Sequence, residues 1–274
     1  MFPNRFMDLR VHIDFDPIDH DAAYSSLYAV STPNLVPITW FAQSLHGAVM
    51  IIVHHLEHSR SLRIPWLLEE LGLPYTVQFH ARVRSSGLAP ESLKRIHPLG
   101  KAPIIVDDDR VVAESGAIIE YLLERYAPGK LQPQAGTEAW LDYRYWMHYA
   151  EGTLMPLMVM SLVFNRIDRT PWPLGPVARL ITRRVRTAYL VPAIALNVRM
   201  IEDHLAKSAG FAGADFSAAD IQMSIPLESL VADASVHQPL THGRDWLKRM
   251  HGRAAYHRAV AAIEQARAVT ADQA

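Results

Sequence analysis

The chain has 274 residues, with 27 basic and 28 acidic side chains and no cysteine. The balanced charge argues against a general affinity for nucleic acid, and the lack of cysteine excludes disulfides, thiolate metal sites and a cysteine-based reductase mechanism. No apolar run approaches the roughly 18 residues of a membrane span, so the composition predicts a soluble intracellular protein with one large domain or two small ones.

Residues 1–47 mix proline with aspartate and show no sustained hydrophobic period, which favours disorder. Met50 lies inside the first predicted strand. The alternative is therefore that the natural protein begins at Met50 and that the preceding segment comes from an over-long gene assignment. The sequence leaves both interpretations open.

The next segment predicts a strand followed by a helix. A β-branched run at 49–54 is typical of a buried strand. The helix after it has an apolar face and ends at Gly72. Because Pro65 is tolerated only in a first helical turn, Ser61 is favoured over Ser59 as the residue that caps this helix.

The pattern then alternates between strands and helices up to residue 126. Residues 75–79 predict a strand, 88–96 a short helix, 103–106 and 111–112 a hairpin, and 114–126 a further helix. The order β-α-β-α-β-β-α predicts a mixed sheet with helices on its faces.

From residue 137 the pattern is helical. One long helix is predicted at 137–165, broken near Pro156, and a second at 180–207. Two shorter helices are expected around Trp246 and Tyr256.

Ser217 and Asp220 have the spacing of a capping box, which indicates a role in folding and none in catalysis. The arginines of the second long helix predict a solvated face, with an anion or partner site as the alternative; they are Arg179, Arg183, Arg184 and Arg186.

Several motifs occur in a fixed order along the chain. Ser-Arg-Ser at 59–61 precedes Trp-Leu-Leu-Glu-Glu-Leu-Gly-Leu-Pro-Tyr, and Pro-Leu-Gly-Lys-Ala-Pro at 98–103 precedes Glu-Ser-Gly-Ala-Ile at 114–118. Tyr-Trp-Met-His-Tyr-Ala-Glu-Gly follows at 145–152. With these motifs, residues 50–265 resemble the cytosolic glutathione transferases, in particular the bacterial and fungal members with an active-site serine.

The resemblance implies the glutathione transferase fold. This fold has an α/β thioredoxin-like N-terminal domain, here at 48–129, and an all-α C-terminal helical domain, here at 137–274. The resemblance also implies a cytoplasmic, homodimeric detoxification enzyme. Such an enzyme takes glutathione as co-substrate and a hydrophobic electrophile as partner, and it needs no metal, nucleic acid or membrane.

The reaction requires the thiolate of glutathione, whose thiol has an unperturbed pKa of about 8.5. Lowering that pKa by about two units takes about 2.7 kcal/mol of preferential stabilisation. The resemblance places Ser59, or alternatively Ser61, as the hydroxyl that hydrogen-bonds the thiolate. It places Tyr149 and Met155 in the wall of the electrophile pocket.

The resemblance also assigns the contacts that bind glutathione. Lys101 is expected to meet a carboxylate, and a cis bond before Pro103 would turn the backbone of Ala102 toward the tripeptide. Ser115 is expected to cap a helix and to hold the γ-glutamyl carboxylate, while Glu114 binds the amine.

The sequence also allows other interpretations. His54, Glu57 and His58 fit the H-x-x-E-H pattern of inverted zinc peptidases, but that chemistry needs the motif on a helix and here it follows a strand. A non-catalytic ligand-binding or regulatory protein of the same fold is a further alternative, as is glutathione-dependent reduction of a hydroperoxide. His97 stands where many family members have asparagine, and its contact with a ligand is left open.

Overall fold

The computed structural model describes residues 51–233, 236 and 238–272. The prediction of disorder at 1–47 and the alternative start at Met50 lie outside the described residues. In the described part of the chain, no helix combines the length and the apolar character needed to cross a membrane.

The first half is built on a four-stranded mixed sheet with strand order β2-β1-β3-β4. β1 and β2 are parallel, and β3 is antiparallel to both β1 and β4. The pairing of β1 with β3 ends where His54 faces Ile104, directly after Pro103. The strands are β1 Ile51–Leu56, β2 Tyr75–His80, β3 Ile104–Asp107 and β4 Arg110–Ala113.

Three helices pack against this sheet, namely α1 Arg63–Leu71, α2 Glu91–Ile96 and α3 Ser115–Tyr126. A 3-10 turn at Arg60–Leu62 precedes α1, and Ser59 caps that turn by accepting from the Ser61 amide. The prediction that Ser61 caps the helix is therefore wrong, because the helix opens with a tighter turn than the pattern suggested. Gly72 ends α1 in a left-handed conformation, as predicted.

Two other helix starts differ from the prediction. α2 begins at Glu91 rather than at residue 88, because Pro90 stands in extended backbone immediately before it. α3 begins at Ser115 itself, and the N-cap position belongs to Glu114, without a side-chain capping bond. The expectation that Ser115 caps α3 is therefore wrong.

The second half is helical. The first predicted long helix is interrupted by a π-helical turn at Ala150–Leu154, just ahead of Pro156, and the second by a similar turn at Arg186–Leu190. The helices are α4 Glu138–Tyr149, α5 Met155–Asp168, α6 Gly175–Val185, α7 Val191–Leu205, α8 Ala218–Ala232, α9 Thr241–His251 and α10 Ala254–Asp272.

The central helix α8 is buried along most of its length. Its start is held by the predicted capping box, in which Asp220 accepts from the Ser217 amide at 2.9 Å. Asp220 also accepts from the Phe211 amide at 3.0 Å and from the Trp246 indole at 3.3 Å. This carboxylate thus joins three segments of the helical half, and the capping-box prediction is confirmed.

Candidate active site

One cleft lies where the loop after β1, the turn before β3 and the start of α3 meet. It contains all five residues that were predicted to bind glutathione. The lining residues are Arg60, His97, Leu99, Lys101, Ala102, Pro103, Ala113, Glu114 and Ser115.

The turn before β3 presents an unused backbone edge. The bond between Ala102 and Pro103 is cis, as predicted. Within the described residues, Ala102 makes no backbone hydrogen bond to another segment. An extended ligand can therefore pair with this residue in the manner of an added strand.

Charged groups of both signs stand beside that edge. Lys101 is exposed, and neither it nor Glu114 has an ion pair or side-chain hydrogen bond within the described residues. Ser115 is buried in the first turn of α3, where the free amides and the helix dipole favour an anion. The cleft can therefore bind a molecule that carries carboxylates and an amine.

Glu114 adopts a backbone conformation that side-chain-bearing residues rarely take, with a φ of 75°. Its carbonyl accepts from the Ile118 amide at 2.9 Å, which is the first bond of α3. A non-glycine residue in such a conformation persists only where its surroundings enforce it, and such strain is concentrated at functional sites. Nothing in the sequence pattern signalled it.

The two candidate serines have different surroundings. Ser59 is half-buried next to Arg60, although it is not itself among the residues that line the cleft. Ser61 is fully buried, and its hydroxyl contacts the Ser59 hydroxyl at 2.6 Å and His55 Nδ1 at 3.0 Å. The Leu56 amide also donates to it at 3.2 Å. Ser61 is therefore enclosed by protein groups, and Ser59 is the more accessible hydroxyl.

A cluster of charged groups connects the cleft to the helical half. Arg60 and the fully buried Arg63 both donate to the carboxylate of Glu151, which lies in the π-helical turn after α4. Burial alone would raise the pKa of the Glu151 carboxyl, but Arg63 and Arg60 lower it below its ordinary value. This contact was not predicted from the sequence, although an arginine on the apolar face of α1 was a signal that could have revealed it.

The predicted electrophile-pocket residues lie in the core of the helical half. Tyr149 and Met155 are only 5% and 7% exposed. The Tyr149 hydroxyl donates to the Asn197 side chain, and its ring packs edge-on against Trp146. Neither residue lines the cleft at the end of the sheet.

The histidines of the H-x-x-E-H match do not share a helix. His54 lies in β1, where its Nδ1 is 3.1 Å from Nε2 of His80, whereas His58 lies in the loop beyond the strand. No group of three potential metal ligands occurs among the described residues. The helical geometry that zinc peptidase chemistry requires is thus contradicted.

Comparison with known proteins identifies the family. Residues 59–125 match the family model described as the N-terminal domain of glutathione S-transferase. Glutathione S-transferase 3 of Schizosaccharomyces pombe is 37% identical over 217 residues, which cover 78% of this chain and 88% of that protein. The chain belongs to the glutathione S-transferase family. Glutathione S-transferase 1 of Saccharomyces cerevisiae is 30% identical over 65% of this chain and 80% of its own length.

Solved glutathione S-transferases share the fold. One from Actinobacillus pleuropneumoniae superposes with a TM-score of 0.62 at 32% identity and covers 77% of this chain and 91% of its own. The theta class enzyme of Xanthomonas axonopodis pv. citri, which has glutathione bound, gives 0.59 at 25% identity and covers 77% and 97%. The predicted thioredoxin-like domain followed by a helical domain is confirmed, while the limits 48–129 and 137–274 stay a prediction.

Proposed function

We propose that this glutathione S-transferase binds glutathione in the cleft at the end of the sheet and transfers its thiolate to an apolar electrophile. The observation that carries the proposal is the meeting, in one cleft, of a cis-proline backbone edge, a helix start, and a lysine and a glutamate that have no ion-pair partner among the described residues. These groups match the backbone, carboxylates and amine of the tripeptide. The family membership supports the same activity.

Each group of the cleft has a partner on glutathione. Lys101 would pair with one carboxylate, and the backbone of Ala102 would pair with the backbone of the tripeptide. The amide and hydroxyl of Ser115 would hold the γ-glutamyl carboxylate at the start of α3. Glu114 would bind the amine, so that both signs of charge on the ligand are matched.

Ser59 is the proposed donor to the thiolate. A hydrogen bond to an ionised sulfur contributes about 1.5–3 kcal/mol, which corresponds to a decrease of about one to two units in the thiol pKa. Arg60 also lines the cleft, and its cluster with Arg63 and Glu151 contains two positive charges and one negative charge. The activated sulfur then forms a bond to an electrophilic carbon, and the leaving group departs with the bonding electron pair.

Tyr149 and Met155 are the proposed residues of the electrophile pocket. The roles of Tyr149 and Met155 in the pocket stay a prediction, and their burial means that they would act by shaping its wall from behind. Reduction of a hydroperoxide by the same thiolate is a related activity. A carrier that binds glutathione without turnover is the alternative outcome.

We further propose a homodimeric, cytoplasmic detoxification enzyme without a metal cofactor. Apolar side chains are exposed on both halves, among them Leu99, Leu141 and Tyr145, and a second copy could cover such residues. Sedimentation equilibrium at several concentrations tests the dimer. A monomer at all concentrations would contradict it.

The function is tested by measuring glutathione binding and turnover together. Calorimetry gives the glutathione Kd, and 1-chloro-2,4-dinitrobenzene and cumene hydroperoxide serve as electrophile and peroxide probes. Lys101→Ala is expected to raise Kd by about tenfold, because it removes one charge-assisted contact. Lys130→Ala, an exposed lysine outside the cleft, should leave Kd unchanged. Binding without turnover of either probe would favour the carrier, and no binding at all would contradict the proposal.

A further inference from the structure

A buried row of hydrogen-bonding groups lies behind Ser59. The Ser59 and Ser61 hydroxyl oxygens are 2.6 Å apart, and the Ser61 oxygen is 3.0 Å from His55 Nδ1. Ser61 is 0% exposed and His55 is 6% exposed. His55 is therefore connected to Ser59 through Ser61, and neither His55 nor Ser61 lines the cleft.

Two backbone amides limit how the hydrogens can be arranged. The Leu56 amide donates to the Ser61 oxygen at 3.2 Å, and the Ser61 amide donates to the Ser59 oxygen at 3.3 Å. A hydroxyl group has one hydrogen and can accept two hydrogen bonds. Each serine oxygen thus has room for one further donor besides its amide.

The donor-to-acceptor direction of the hydrogen bonds in this row depends on which ring nitrogen of His55 carries the hydrogen. If Nδ1 accepts from Ser61, the Ser61 oxygen is left to accept from Ser59, whose hydrogen is then directed inward. If Nδ1 carries a hydrogen and donates, the Ser61 oxygen is filled by two N–H groups. Its own hydrogen is then donated to the Ser59 oxygen at 2.6 Å rather than to the Leu56 carbonyl at 3.4 Å, because the shorter contact would otherwise lack a hydrogen. The Ser59 oxygen then accepts two bonds and its hydrogen points out of the row.

The surroundings keep the His55 ring neutral and fixed. Burial, followed by the neighbouring His58 and His80, lowers the pKa of His55 to about 3. The ring stacks on Phe79 with centroids 5.8 Å apart. A neutral imidazole carries a single hydrogen, so its tautomer alone decides between the two arrangements.

We propose that His55 is a positioning residue for the transfer reaction. It carries its hydrogen on Nδ1, donates to Ser61, and through Ser61 directs the Ser59 hydroxyl to the glutathione sulfur. The inference rests on the proposed role of Ser59. Because consecutive hydrogen bonds polarise one another, the Ser59 hydroxyl becomes a stronger donor to the thiolate than an isolated serine.

The substitutions His55→Leu and His55→Asn separate this role from simple packing. Leucine fills a similar volume but cannot donate, whereas the asparagine amide can donate from near the Nδ1 position. We expect His55→Leu to raise the apparent pKa of bound glutathione by about 0.1–0.6 unit, since each cooperative bond adds about 10–30% to a stabilisation of about one to two units. The KM for glutathione should stay the same while kcat at neutral pH falls. His55→Asn should restore most of the wild-type pKa.

The tautomer can be observed without any substitution that alters folding. In the ¹⁵N spectrum of the labelled wild-type protein with glutathione bound, Nδ1 of His55 should show a protonated, pyrrole-type signal. A pyridine-type signal at Nδ1 overturns the proposal. This measurement decides the matter even if His55→Leu does not fold.

The outcomes also separate this inference from the proposed function. If Ser59→Ala raises the pKa of bound glutathione and His55→Leu does not, the His55 role is wrong and the Ser59 role stands. If neither substitution raises the pKa, the assignment of Ser59 fails and the inference fails with it. Ser61→Ala should behave like His55→Leu, and wild-type behaviour of Ser61→Ala would also overturn the inference.

Discussion

At the scale of single residues, two serines separated by one arginine have opposite environments. Ser61 is enclosed by His55, the Leu56 amide and Ser59, whereas Ser59 is half-buried beside the cleft. The motif identifies both serines as candidate thiolate donors. Choosing between them requires knowing how deeply each side chain is buried. Burial depends on how the loop after β1 folds back onto the strand, and local sequence does not encode that.

The strained residue Glu114 gives a prediction in which stability and binding change in opposite directions. We expect Glu114→Gly to increase the free energy of unfolding by about 1 kcal/mol, because glycine adopts a φ of this sign without strain. The same change should weaken glutathione binding, since it removes the carboxylate that meets the amine. Urea unfolding and calorimetry measure the two effects.

Asp108→Gly is the matched control. Asp108 also has a positive φ, of 55°, but it is exposed in the turn between β3 and β4 and does not line the cleft. The Asp108→Gly variant should have a higher free energy of unfolding than the wild type and the same affinity for glutathione. Equal glutathione affinity in Glu114→Gly and the wild type would show that Glu114 does not bind glutathione.

At the scale of elements, most helices and strands follow from local patterns, and the differences lie at their ends. Hydrophobic period predicted the order of the elements along the chain, and Pro156 predicted a break near it, because both depend on residues close in sequence. The π-helical turn that carries Glu151 was not predicted. Its Glu151 pairs with the buried guanidinium of Arg63 on α1, and this contact joins segments that are far apart in sequence.

Glu151→Gln tests the contact between these elements. The substitution leaves Arg63 buried without a charged partner in this turn, so we expect the free energy of unfolding to fall by about 3 kcal/mol. Glu124→Gln on the exposed face of α3 should change it by less than about 0.5 kcal/mol. Urea unfolding of both variants provides the measurement, and equal stabilities would show that the Arg63 and Glu151 pair is not important for folding.

At the scale of the whole molecule, the two halves are joined at both ends of α1. Arg60 and Arg63 meet Glu151 at its start, and Arg253, immediately before α10, binds Glu70 at 2.6 and 3.0 Å near its end. The order of motifs predicted two structural halves, because each motif is local. The contacts between the halves, 88 and 183 residues apart in sequence, could not be predicted in this way.

Buried neutral histidines make the stability of the molecule sensitive to acid. Burial, followed by the neighbouring His80, lowers the pKa of His54 to about 4, and burial similarly lowers that of His55. In the unfolded chain both histidines have a pKa of about 6.5, so below that pH the unfolded state binds more protons than the folded state. The free energy of unfolding should therefore fall as pH decreases from about 6.5 to about 4.

Urea unfolding at a series of pH values measures this dependence. His54→Asn should make the decrease shallower, whereas substitution of the exposed His148 by asparagine should leave it unchanged. A stability that stays constant over the same pH range would show that the buried histidines are not held neutral by the fold.

The central claim is that the Ser59 hydroxyl stabilises the glutathione thiolate in this cleft. The ultraviolet absorbance of the thiolate, followed against pH with saturating glutathione, measures the pKa of the bound thiol directly. We expect the wild type to titrate clearly below about 8.5 and Ser59→Ala to titrate about one to two units higher than the wild type. Superimposable titration curves for the two proteins would contradict the account.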